Sequence, residues 1–300
     1  MKPTPDSGNA FPIVFDRRLV RARRSRALRQ LKDVDFLTDA VIPELADRLA
    51  LINRTFEMGM VMGAGAAHIA RGLASAGRIE RMIVADVAAA NDADLVCDDE
   101  VLPLAPESLD CLVSGLAFHW INDLPGSLVQ MRRALKADGL LLAALFGGET
   151  LFELRTSLLM AEADSPFGAA PRVSPFLDVR DAGALLQRAG FALPVVDSDR
   201  LTVRYPDPLA LMRELRLLGA TNAMVDRSRR PLTRSVLMKA CEHYAAHFSD
   251  PDGKVRATFQ VLYLTGWAPH ESQQKPLRPG SATARLADAL QTVEKNFPAR

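Results

Sequence analysis

Between residues 54 and 146, short apolar runs alternate with stretches of helical period. "FEMGMVM" reads as a strand, and residues 66–76 as the helix that follows it. "RMIVAD" reads as a second strand, "ADLVCD" as a third and "LDCLVSGL" as a fourth. "LPGSLVQMRRALK" sets Leu128, Met131 and Leu135 at helical spacing, and "GLLLAALF" reads as a fifth strand. Strands and helices alternating in this way predict an α/β fold built on a parallel, doubly wound sheet. Right-handed crossovers then bring the strand C-termini to one edge, where ligands bind.

Outside that block the pattern changes. From Asp16 to Leu51 the period is helical, and "DRRLVRARRSRALRQL" carries seven arginines. Three readings are open for this stretch: a solvated helix face, a lid over an active site, or a docking surface for an acidic partner. Nucleic acid is disfavoured, because aromatics are not interleaved with the arginines. Further on, "DVRDAGALLQRAGF" predicts a helix with Leu185, Leu186 and Ala189 inward, closed by Gly190. "PVVDSDRLTVRY" reads as a strand, residues 208–219 and 231–248 as two helices, and "VRATFQVLYLTGW" as a long late strand. The expected layout is a flexible tail (1–15), a helical lid (16–52), a core (53–205), a helical insertion (206–252), the last core strand (253–268) and a loop-rich end (269–300).

Composition narrows the class. With 300 residues, 48% of them apolar, the chain can bury a large core as one domain or a domain with an insertion. A net charge of +1 gives no global attraction to nucleic acid or to a membrane surface. Cys97, Cys111 and Cys241 lie far apart and form no CxxC, so a disulfide framework is not expected and a reducing cytoplasm fits. The longest apolar run, "GLLLAALFGG", is too short to span a bilayer, so no integral membrane segment is expected. The first residues, "MKPTPDSGNAFPIVF", do not follow the plan of a secretory signal.

The strand ends carry the chemistry. After the first strand stand Gly63, Ala64 and Gly65. Glycines there allow a tight turn and close approach of the backbone, and the next helix offers its N-terminal N–H groups. After the second strand comes Asp86, a position suited to the two hydroxyls of a ribose. After the third come Asp98 and Asp99, and an acid there can accept from an exocyclic amine such as that of adenine. Ser114 and "LAFHW" follow the fourth strand. Any one of these acids has a plainer reading as a turn or cap. Together with the glycine turn they describe a nucleoside pocket.

The order "AD…VCDDEVLPL…LDCLVSGLAFHWINDLP…MRRALKADGLLLAALFGG" resembles the class I S-adenosylmethionine-dependent methyltransferases over most of residues 54–147. The resemblance implies a Rossmann-like methyltransferase fold with S-adenosyl-L-methionine as cofactor, contacted by Gly63, Ala64, Gly65, Asp86, Asp98 and Ser114. Motifs outside that core are more particular. "VFDRRLVRARRSRA", "LAFHWINDLP", "FGGETLFELR", "ATFQVLYLTGW" and "HESQQKP…RPGSA" are similar to the methyltransferase-like assembly factors of respiratory complex I and their α-proteobacterial relatives. That likeness implies a protein partner, a complex I core subunit, and hydroxylation of one of its arginines. "SGLAFHW" bears a more distant likeness to the O-methyltransferases that esterify malonyl carrier protein.

The resemblance also fixes a register. "VMGAGAA" lies on the superfamily's acid-x-Gly-x-Gly-x-Gly, with Gly63 and Gly65 matched, Ala67 in place of the third glycine and Val61 in place of the acid. That acid helps to hold the cofactor's amino end. Its loss removes a charge-assisted bond of roughly 1.5–3 kcal/mol. Glu57 stands four residues back, about 13 Å along a strand, too far to substitute. Three candidates remain near the reacting end. His119 can act as a base, or simply hydrogen-bond while Trp120 packs. Glu149 and Glu153 are four apart, so a helix would set them on one face as a clamp for a guanidinium. A plainer reading puts Glu149 at a helix start, where an acid is favourable. His243 and His247 share a helix face but lack a third ligand, so no metal site is expected. No facial triad for iron stands out in the sequence. Three functions are therefore carried forward: a protein-arginine hydroxylase, a carrier-protein O-methyltransferase, and a non-catalytic assembly chaperone with a degenerate cofactor site.

Overall fold

The computed structural model describes residues 12–28, 36–63, 65–89, 92–163, 168–274 and 291. It divides into two units, Met1–Pro269 and His270–Arg300, and the fold that follows is that of the first. Ala64 and most of the expected tail and C-terminal loop lie outside the described residues.

Seven strands form one sheet: β1 (Phe56–Gly63), β2 (Ile79–Asp86), β3 (Leu95–Val96), β4 (Leu109–Gly115), β5 (Leu135–Phe146), β6 (Ala192–Tyr205) and β7 (Val255–Trp267). Their order is β3-β2-β1-β4-β5-β7-β6. β1 to β5 run parallel. The expectation of a parallel sheet needs correcting beyond them, because β7 enters antiparallel between β5 and β6. Apolar runs do not encode strand direction, so the sequence pattern could not reveal this. β3 is also shorter than "ADLVCD" suggested. Asp94 turns its carboxylate onto the Val84 N–H, and Asp98 closes a bridge with Val101, which leaves two residues to pair with β2.

Among the described residues eight helices flank the sheet: α1 (Arg17–Leu28), α2 (Phe36–Ala50), α3 (Ala66–Ala74), α4 (Leu124–Ala134), α5 (Phe152–Ala163), α6 (Val179–Arg188), α7 (Pro208–Leu217) and α8 (Arg234–Phe248). Several starts are written in the sequence. Asp123, Asp178, Asp207 and Thr233 each accept an N–H of the first turn of α4, α6, α7 and α8. Two apolar layers result. One gathers Val41 and Leu45 of α2, Ile69 of α3, Leu158 of α5, Leu211 of α7 and Tyr244 of α8 with Val61 and Val113 of the sheet. The other gathers Leu128 and Met131 of α4 and Leu185 and Leu186 of α6 with Leu112 and Leu141. Helices thus cover both faces, as a doubly wound sheet requires.

The flexible tail expected for residues 1–15 is corrected at its end. Phe15 is buried and bridges to Met224, and Asn122 accepts the N–H groups of Val14 and Phe15. The start of α1 is therefore tied down. Among the described residues, no helix is long and apolar enough to cross a membrane.

Candidate functional site

Two cavities meet at the C-terminal edge of the parallel strands. The first is a cleft lined by Gly63, Asp86, Asp99, Leu116, His119 and Trp120, and roofed by Arg17, Val20 and Arg24 of α1. Its backbone turn is specific. Gly63 has φ +105°, and a Cβ there would lie 2.6 Å from the Ala117 Cβ and 2.7 Å from the Gly115 carbonyl oxygen. Only glycine fits that close approach. Gly65 follows in the left-handed region at φ +69° and leads into α3.

The acids of the strand ends lie together, and α1 lies across them. Asp86 is buried; its Oδ1 accepts the Ala88 N–H, and its Oδ2 stands 3.2 Å from Nη2 of Arg24. Arg17 donates to Asp98 at 2.7 Å and to the Trp120 carbonyl at 3.0 Å, and stands 3.8 Å from Asp99. Arg17, Val20 and Arg24 face inward at spacings of three and four, while Arg18, Arg21 and Arg26 are exposed. That i, i+3, i+7 stripe was available in the sequence as a signal that two arginines belong to the site.

Of the adjacent pair after β3, Asp99 lines the cleft and Asp98 does not. Burial pushes the Asp99 carboxyl up to about 6, with the Arg17 charge opposing and Asp98 and Asp86 adding to the rise. For Asp98, burial also raises, but the hydrogen bonds and charges of Arg17, Glu100 N–H and Arg21 outweigh it, and its carboxyl lies below the ordinary range. Ser114 is fully buried within β4, does not line the cleft, and its hydroxyl has no protein partner. Val61 is buried in β1 between Val84 and Val113 and also lies off the cleft.

The second cavity, of about 210 Å³, is a chamber on the other side of a shared wall formed by Leu37, His119, Trp120, Phe146 and Ala220. Leu151, Leu154 and Leu158 from α5 and its preceding turn, Met212 and Leu215 of α7, and Phe176 and Phe259 make it mainly apolar. Among the described residues its lining includes Arg172 and Arg216 and no carboxylate. Arg172 is tied to the buried Glu162. The sequence signal in this region fell on Glu149 and Glu153, which line neither cavity. The α5 and α7 residues that do line the chamber are, Arg216 apart, leucines and a methionine without a chemical signature, so the chamber was not foreseen.

His119 sits in that wall, on a single 3-10 turn, Phe118–Trp120. It is buried among Trp120, Phe146 and Phe176, with ring centroids at 5.3, 4.7 and 5.9 Å. Its Nδ1 is buried without a hydrogen-bond partner. Burial lowers its pKa to about 3, so the ring is neutral near pH 7.

The carboxylate clamp expected from Glu149 and Glu153 does not form. Leu151 takes φ +55°, which breaks the backbone between them, and α5 begins only at Phe152. Glu149 therefore stands in a turn, half-exposed and ion-paired with Arg200. Glu153 is buried and accepts from the N–H and hydroxyl of Thr258, at 3.1 and 2.6 Å, which ties α5 to β7. Neither lines either cavity. His243 and His247 stack on each other at 4.1 Å, and His243 meets Ser157.

Comparison with known proteins agrees with this geometry. A methyltransferase-domain model matches residues 60–143. Among solved structures, the Bacillus subtilis YcgJ protein superposes with a TM-score of 0.52 at 14% identity, covering 76% of this chain and 99% of that one. The Bacillus halodurans methyltransferase candidate BH2331 gives 0.50 at 15%, with the same coverage. Fold and cleft together define a class I, Rossmann-like methyltransferase domain. Sequence relatives are more particular. The chain is 40% identical over 287 residues to the zebrafish (Danio rerio) mitochondrial arginine-hydroxylase NDUFAF5, covering 92% of this chain and 89% of that protein. The human (Homo sapiens) counterpart is 37% identical over 286 residues, at 92% and 83% coverage. The chain belongs to the family of these NDUFAF5 arginine-hydroxylases. It is also similar, at 32% over 266 residues, to the malonyl-[acyl-carrier protein] O-methyltransferase of Halorhodospira halophila, covering 84% of this chain and 88% of that one.

Proposed function

We propose that this chain binds S-adenosyl-L-methionine in the acid-floored cleft and hydroxylates an arginine of a complex I (NADH–quinone oxidoreductase) core subunit during assembly, in the cytoplasm. The observation that carries the reading is a pair of adjoining cavities sharing the His119 wall, in a chain 40% identical to an arginine-hydroxylase over 92% of its length. The residues present fit an adenosyl group. The Gly63 turn leaves no room for a Cβ and opens the backbone to a ligand. Asp86 keeps lone pairs for a ribose diol, and Asp99 can accept from the adenine amine. Bound S-adenosylmethionine would supply an electrophilic sulfonium centre, which carries no oxygen atom. Inserting one oxygen into an arginine C–H bond is a two-electron oxidation, and in this reading both the atom and the oxidising power come from a separate co-reactant of the dioxygen class.

The chain's own residues do the rest. In this reading the apolar chamber receives the substrate side chain. Its leucines follow the aliphatic stem of an arginine and keep water out, and the faces of Trp120, Phe146 and Phe176 can take a guanidinium by cation–π attraction. His119, neutral and without a protein partner at Nδ1, offers a hydrogen bond to the substrate's polar head at the wall between the cavities. It is a positioning group rather than a base, because an imidazole of pKa about 3 holds a proton too weakly to take one near pH 7.

A second reading, O-methylation of a carrier-protein carboxylate, is favoured by one observation: among the described residues the chamber is lined by Arg172 and Arg216 and by no carboxylate. Intact-mass analysis of the partner subunit, made with and without this protein, separates the two. Gain of one oxygen atom on an arginine-containing peptide is expected. Gain of one CH2, or of nothing while the complex still fails to assemble, rejects hydroxylation in favour of methylation or of a chaperone.

A further inference from the structure

We infer that Arg24 anchors the carboxylate at the tail of the adenosyl ligand, so that the cleft grips the ligand's amino-acid end by its anion instead of its ammonium. The inference rests on the S-adenosylmethionine reading above and deepens it. Two independent observations point to it. The first is what the ammonium lacks. Val61 stands at the position of the usual acid, packed between Val84 and Val113 and off the cleft. The two carboxylates that do line the cleft, Asp86 and Asp99, each already face an arginine, Arg24 at 3.2 Å and Arg17 at 3.8 Å.

The second is what Arg24 lacks. Its side chain is 12% exposed and lines the cleft, and its Nε is buried with no hydrogen-bond partner. A buried guanidinium N–H without an acceptor is costly and rare in a finished structure. The ion pair with Asp86 uses Nη2 alone and holds the guanidinium in place. The unpartnered Nε–H suits an anionic acceptor such as a carboxylate, the one anion that S-adenosylmethionine carries. Arg17 Nε also makes no hydrogen bond, but it stands 3.6 Å from Glu100 Oε1, and its two Nη atoms are committed to Asp98 and to the Trp120 carbonyl.

Titration calorimetry on the full chain tests this with three ligands: S-adenosylhomocysteine, its deaminated analogue and its decarboxylated analogue. Loss of the ammonium is expected to change the Kd by no more than about fivefold. Loss of the carboxylate is expected to weaken binding roughly ten- to a hundred-fold. In Arg24→Gln, S-adenosylhomocysteine should bind no better than the decarboxylated analogue, and Arg24→Lys should restore part of the difference. The ratio of two affinities on one preparation does not depend on how much of the variant has folded. Equal binding of both ligands by the wild-type chain overturns the inference while leaving the cofactor reading intact. Tighter binding of both ligands by Arg24→Gln also overturns it, since Arg24 would then be a plug. If wild type binds no adenosyl ligand at all, the cofactor reading falls and this inference falls with it.

Discussion

The cleft and the chamber share a wall and differ in what they offer a ligand. The cleft is narrow, about 80 Å³ of free volume against 210 Å³ in the chamber, and Arg17 and Arg24 are among its lining. Its four charged side chains, Arg17, Arg24, Asp86 and Asp99, already satisfy much of one another's demand. A ligand entering it must exchange internal ion pairs for its own bonds, so selection there depends on polar matching. The chamber has little polar demand to exchange, and a side chain entering it is selected by shape and apolar contact. A site that must turn away a lookalike can do so strongly in the first and weakly in the second.

The largest expected effect breaks the cleft alone. Asp86→Ala removes the ribose acceptor and strands the Arg24 guanidinium, which is 88% buried at its side chain by the 12% exposure above. Removing one partner of a buried pair costs about 3–5 kcal/mol. Affinity for S-adenosylhomocysteine should fall by roughly a hundred-fold or more, as two charge-assisted bonds are lost. Calorimetry and a melting curve read both. Retained affinity would mean that the nucleoside does not sit over Asp86.

The next variant breaks the chamber and leaves the cleft alone. Leu154 lines the chamber only. Leu154→Trp should fill it, with an overpacking cost of about 1 kcal/mol, the low end of the usual range, because open space receives the larger ring. The Kd for S-adenosylhomocysteine should stay within about twofold, while modification of the partner subunit, read by mass, should be lost. If modification persists, the substrate side chain approaches by another route.

The same contrast explains what the sequence made legible. Gly63 and Asp86 of the cleft lining sit at strand ends, where a period of short apolar runs fixes their place, so spacing could put them at that edge. Asp98 and Asp99 are adjacent, and spacing cannot say which faces inward; the hydrogen bonds of Asp98 to Arg17 and Glu100 N–H turn it away. Chamber residues come from α5, α7 and β7, brought together only by tertiary packing. Glu149 and Glu153 misled for a local reason. Four-residue spacing means a shared face only inside a helix, and the positive φ of Leu151 delays the helix until Phe152.

The smallest effect sharpens the contrast by titration, since among the described residues the cleft lining holds carboxylates and the chamber lining holds none. Burial raises Asp99 to about 6 from an ordinary carboxylate value of about 4. A group whose pKa is raised on folding contributes its full stability below the unfolded value and loses it as pH rises through the folded one. Ionisation of Asp99 should therefore weaken the fold between about pH 4 and pH 6 and leave it weaker above. Asp99→Asn keeps the shape and stays neutral. It should melt about 2–6 °C above wild type near pH 8, for about 1–2 kcal/mol, and level with wild type near pH 4. The Arg17 guanidinium, 3.8 Å away, offsets part of the cost and sets the lower end of that range. Leu154→Trp, measured beside it, should show the same offset from wild type at both values. A melting difference for Asp99→Asn that does not change with pH would mean that Asp99 keeps its charge in the fold, and that the cleft floor is wetter than its burial implies.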